Sequence, residues 1–110
     1  MPTVINRRKT SGETLYIGRG SIWGNKFVIG QDGDRDKVIY KYAYDLWLRI
    51  KLKEITLDQL RALKGETLGC FCKPSACHGD VLVKACEWAF TIDHVDPSVV
   101  PDWLLSFKVK

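Results

Sequence analysis

Three of the four cysteines and one of the two histidines fall within thirteen residues, Leu68-Gly-Cys-Phe-Cys-Lys-Pro-Ser-Ala-Cys-His-Gly-Asp80. Such a concentration of sulfur, imidazole and carboxylate supports three kinds of chemistry. Cys70, Cys72, Cys77 and His78 make a four-ligand set of the type that holds zinc. Against that, Cys-x-Cys is not the usual Cys-x2-Cys knuckle, and adjacent Cys77 and His78 need a bent backbone to reach one ion. Alternatively Cys77, near the start of an expected helix, is a thiolate whose pKa the helix end lowers, fit for nucleophilic work or for facing an anion. The plain alternative is packing: Cys70 and Cys72 share one face of a strand, and Cys86 reads as a core residue in any case. His78 and Asp80 have the same two sides. Asp80 can cap a helix while His78 bonds a loop carbonyl. Or both face a ligand, His78 meeting a phosphate or sugar and Asp80 serving as general base. With neither a paired carboxylate nor a Ser-His-Asp arrangement in view, any catalysis would rest on Asp80, His78 and Cys77.

A second polar stretch is Gly18-Arg-Gly-Ser-Ile-Trp-Gly-Asn25. Glycines let backbone N–H groups converge on an anion, and Arg19 and Ser21 add a charge and a hydroxyl. Trp23 can stack on a base or ribose, and Asn25 can bond a base edge or sugar hydroxyl. The spacing fits neither a Walker A loop nor a dinucleotide fingerprint. Its plain reading is a tight turn with Trp23 in the core. The formal charge of +4 matches the excess of Arg7, Arg8, Lys9, Arg19 and Lys26 over Glu13 in the first 30 residues, the remainder being balanced. A local excess of this kind points to an anionic partner.

Elements must bring these stretches together. Thr3 to Arg8 reads as a strand delivering Asn6, Arg7 and Arg8 to a sheet edge, and Thr14 to Ile17 as a second strand feeding the glycine segment. From Arg35 to Lys51, Val38, Ile39, Tyr42, Ala43, Leu46, Trp47 and Ile50 recur at helical spacing behind Asp34 as N-cap. Thr56 can cap a short helix with Leu57, Leu60 and Leu63 inward and Gly65 as its stop. A strand from Thr67 to Cys72 then leads through the cysteine loop into a helix from about His78 to Phe90. The tail, 91–110, reads as a packing strap in which Asp102 caps one turn carrying Trp103 and Leu104. This order predicts one α/β domain, a small three-layer Rossmann-like fold with a short, largely parallel sheet and a core from about 3 to 90. In such sheets ligands bind beyond the carboxyl ends of the strands, so Asn6 to Arg8, Gly18 to Asn25 and Cys72 to Asp80 should share a rim.

With both stretches in hand, the chain resembles a small phage and bacterial family classed as a domain of unknown function. The resemblance rests on Asn6-Arg7-Arg8, Tyr16 to Phe27, Leu68 to Cys72 and Cys77-His-Gly-Asp80, and spans roughly residues 3 to 89. Lys26 stands where that family usually has proline. The family name implies no activity.

Composition narrows the setting. No run reaches transmembrane length and no signal-peptide core is evident, which predicts a cytoplasmic chain with reduced thiols and no membrane partner. The leading expectation is a pocket for a nucleotide-like or other phosphorylated small molecule. Its owner is either a nucleoside- or nucleotide-processing enzyme of glycosidase or transferase type, or a binder that sequesters a nucleotide signal. The alternatives are a zinc-stabilised nucleic-acid- or protein-binding module, and a small protein that blocks a cellular factor.

Overall fold

A computed structural model of the chain describes residues 3–6, 15–17, 21–27, 30–70 and 78–108. In chain order its elements are β1 (Thr3–Asn6), β2 (Leu15–Tyr16), α1 (Arg35–Lys51), α2 (Leu57–Arg61), β3 (Thr67–Cys70), α3 (Gly79–Ala89) and α4 (Asp102–Ser106).

Local chemistry sets the helix boundaries. Asp34 is extended and its side chain accepts from the Lys37 N–H at 2.9 Å, starting α1 where the sequence expects it. Asp36 in the first turn and Arg49 and Lys51 in the last complement the helix dipole. The seven apolar residues expected to face inward are all buried. At its far end the chain turns through Lys53, a non-glycine residue held at φ 65°. α2 opens with a complete capping box: the Gln59 N–H donates to Thr56 Oγ1 at 3.2 Å and the Thr56 N–H to Gln59 Oε1 at 2.8 Å. That helix closes at Arg61, and Leu63 continues the buried side into the turn. Gly65, at φ 80°, ends the turn in a conformation that favours glycine.

The small three-layer Rossmann-like domain expected from the sequence is not what forms. Among the described residues, helices of 17, 5, 11 and 5 residues dominate, against strands of only 4, 2 and 4. Strands this short fall below the usual five or six residues and cannot carry a helix layer on each face. Among the residues whose side chains are described, α1 and α3 supply most of the core cluster, with Ile17 and Leu68 beside them. α3 sits centrally, in contact with β1, α1, α2 and α4, and buries Val81, Leu82, Ala85, Cys86 and Ala89. Cys86 is thus a packing residue, as expected.

The strand fragments still have a definite arrangement. They lie in the order β1-β3-β2, both pairings parallel, with Asn6 opposite Cys70 and Tyr16 opposite Gly69. All three strands therefore end on the same side. The tail is part of the core: Trp103 and Leu104 are buried, and Trp103 meets Trp88 edge to face at 5.9 Å, which meets Trp47 likewise at 6.0 Å. Pro101, not Asp102, occupies the N-cap of α4, and no side-chain cap bond is made there. No helix among the described residues is long and apolar enough to cross a membrane.

Candidate functional site

The exit of β2 meets the start of α3 at one side chain. His78 is buried, and its Nε2 lies 2.6 Å from the carbonyl oxygen of Ile17, the residue that follows β2. A carbonyl oxygen only accepts, so Nε2 carries the hydrogen. Burial pushes the His78 pKa down, more than the Ile17 bond and the charge of Asp80 pull it up. His78 is thus held neutral, in the tautomer that leaves Nδ1 as an acceptor. Tyr42 of α1 packs edge-on against its ring at 4.9 Å, and the Tyr42 hydroxyl donates to the Trp23 carbonyl at 2.8 Å. One imidazole and one phenol thereby tie α3, the end of β2, α1 and the glycine-rich segment into a single frame.

α1 fixes the second half of that segment along one face. Besides Tyr42, Arg49 donates from Nη1 to the Ile22 carbonyl at 2.9 Å, and Asp45 pairs with Lys26 at 3.3 Å. Residues 42, 45 and 49 lie one helical turn apart, so a run of loop backbone is held by successive turns of one helix. Within the loop, Gly24 N–H donates to the Ser21 carbonyl at 3.1 Å, closing a tight turn. Asn25 accepts from the Phe27 N–H through Oδ1 at 2.9 Å, an Asx turn. Lys26, where the resembled family usually carries proline, anchors its side chain to α1.

Two assignments need correction. Trp23 is 5% exposed and belongs to the core cluster, so its indole packs inward and offers no open face for a base. Asp80 is not the N-cap of α3; His78 takes that place, with no side-chain cap bond, and the half-buried Asp80 sits in the first turn. A carboxylate there complements the dipole without capping.

The remaining expected residues divide by position. Asn6 and Cys70 end adjacent strands on the side where Ile17 also emerges. Ser21 and Asn25 belong to the loop held by α1. Arg7, Arg8, Gly18, Arg19, Gly20, Cys72 and Cys77 lie outside the described residues. Among the described residues no three His, Cys, Asp or Glu side chains group closely enough to hold a metal ion. Of the expected zinc set, His78 alone has a described side chain, and its Nε2 is engaged by Ile17.

Tyr42, Asp45 and Arg49 are the site residues that motif reading passed over. Tyr42 was legible as a helix-core residue, but its hydroxyl was the overlooked signal. A phenol on a buried helix face needs an acceptor, and one nearly always lies within reach.

The molecule is thus a small, helix-rich domain whose polar junction lies where the end of β2 meets the start of α3. Residues 5–88 match the family described as Domain of unknown function (DUF4326), and the chain belongs to that family. It is also similar to an uncharacterized 12.4 kDa protein from the nrdA-td intergenic region of Enterobacteria phage T4, with 40% identity over 91 residues covering 82% of each chain. The expected kinship with a phage and bacterial family of unknown function is met at that level. No solved structure matches the chain.

Proposed function

We propose that the junction between Ile17, the loop 21–27 and the start of α3 binds a nucleotide-like or other phosphorylated small molecule, and that it does so as a sequestering binder. The observation that carries this reading is the His78–Ile17 contact, which brings two chemistry-bearing segments 61 residues apart to one place. Its polarity suits an anion. α3 opens with Gly79 and presents the positive end of an 11-residue helix, and the sequence concentrates Arg7, Arg8 and Arg19 in the segments adjoining the strand ends.

Binding fits better than turnover because of what His78 is already doing. Its Nε2 hydrogen is spent on a backbone carbonyl and its ring is wedged against Tyr42, so moving a proton through that atom would dismantle the frame. Asp80 and Cys77 are then the remaining acid–base and nucleophile candidates for an enzyme of glycosidase or transferase type. Calorimetry with mononucleotides, cyclic nucleotides and ADP-ribose tests the proposal, and silence across the panel overturns it. Chromatography of the bound compound after prolonged incubation separates the two forms: unchanged compound supports sequestration, and a cleaved product supports the enzyme.

A further inference from the structure

The outward ridge of α1 forms a second surface. Lys37, Lys41, Tyr44 and Lys51 follow one another at intervals of four, three and seven residues, which keeps them on one narrow stripe of a helix. Lys37 and Lys41 are exposed, Tyr44 is 49% exposed, and Lys51 is half-buried. The stripe runs for about 21 Å at the rise of an α-helix. No acid lies on it. Asp36 and Asp45 stand to either side, and Asp45 is occupied by Lys26 at 3.3 Å. Beside the ridge lies Phe27, half-buried, with Lys41 Nζ 5.9 Å and Lys26 Nζ 5.4 Å from its ring centre.

Cations in a row with aromatic rings between and beside them match the backbone charge and the base faces of one kind of polymer. We infer that the ridge Lys37–Lys41–Tyr44–Lys51, with Phe27 alongside, binds single-stranded nucleic acid, the lysines tracking phosphates and Tyr44 stacking on a base. An acidic protein surface would satisfy the lysines but would leave Tyr44 without a planar partner. Duplex DNA would present its bases edge-on in the grooves and not as faces. Phe27 also ends the loop 21–27 of the proposed small-molecule site, but Lys37, Lys41, Tyr44 and Lys51 take no part in that site, so ridge variants test this inference apart from it.

The test is fluorescence anisotropy with a labelled mixed-sequence 15-nucleotide single strand, as DNA and as RNA. Saturable binding at 50 mM salt is expected, weakening about 20-fold at 200 mM if three lysines each neutralise a phosphate. Lys37→Glu with Lys41→Glu should weaken binding at least about tenfold and flatten the salt dependence. Tyr44→Ala should cost about fivefold or more with the salt dependence unchanged. These side chains lie on the surface, and unchanged circular dichroism and melting temperature confirm that each variant is folded. No saturable binding at 50 mM salt overturns the inference. So does full binding by Tyr44→Ala together with equal competition by polyphosphate, because then only charge is being read.

Discussion

Tyr42 and His78 share one ring contact in the interior, and each gives its polar hydrogen to a main-chain carbonyl. Removing either group strands an acceptor. Tyr42→Phe keeps the ring and leaves the Trp23 carbonyl without this donor, so it should lower stability by about 1–2 kcal/mol, measured by denaturant unfolding. His78 adds a pH signature. Burial lowers its pKa below the ordinary 6.5, so below that pH the unfolded chain takes up a proton that the folded chain refuses. Stability should therefore hold its full value above pH 6.5 and decline as the pH falls below it. His78→Asn should lack that decline, which a series of unfolding curves from pH 7.5 to 5 will show. At this scale the sequence was half legible. A histidine bonding a loop carbonyl was one of two readings for His78, and a core role one of two for Trp23. What decided both was burial, which depends on α1 lying across the loop and is not written in either motif.

The elements were more legible than the contacts they make. α1 begins, ends and buries its side chains as its spacing expects, because 17 residues give the apolar period room to declare itself and Asp34 marks the start. α2 is five residues long, yet Thr56 and Gln59 announce it through a box whose two bonds both form. Thr56→Ala should cost about 1 kcal/mol, read from the shift of the unfolding midpoint. Lys53 offers the opposite change. Its φ of 65° is a left-handed conformation that glycine adopts freely, so Lys53→Gly should raise stability by about 0.5–1 kcal/mol. The strands lie where they were expected, and Arg7, Arg8, Thr14, Phe71 and Cys72, which the expected strands also included, lie outside the described residues. β-branched and apolar runs mark where a chain is extended without saying how many residues will find a pairing partner.

The balance of helix against strand decides the whole molecule. Alternating strand and helix signals described the order of elements correctly and their relative weight wrongly, so a layered domain was expected where helices carry the core. The tail was read more closely. Read as a packing strap that lays Trp103 and Leu104 on the body, the tail buries both, and Trp103 ends a row of three edge-to-face tryptophans begun by Trp47 and Trp88. Trp103→Ala should cost about 3–5 kcal/mol, like other large core truncations. Trp103→Phe should cost far less, because the buried indole N–H finds no hydrogen-bond partner among the described residues. Thermal unfolding of the pair distinguishes a core aromatic from a surface strap.

The junction at His78 is the claim on which the functional reading turns, and amide chemical shifts interrogate it residue by residue. Nitrogen-labelled protein titrated with ADP-ribose and a set of mononucleotides should show, for at least one compound, saturable shifts at Ile17 and the 21–27 segment together with Gly79 to Leu82. Shifts confined to one of those two segments, or to the far side of the molecule, would contradict a shared site built from both.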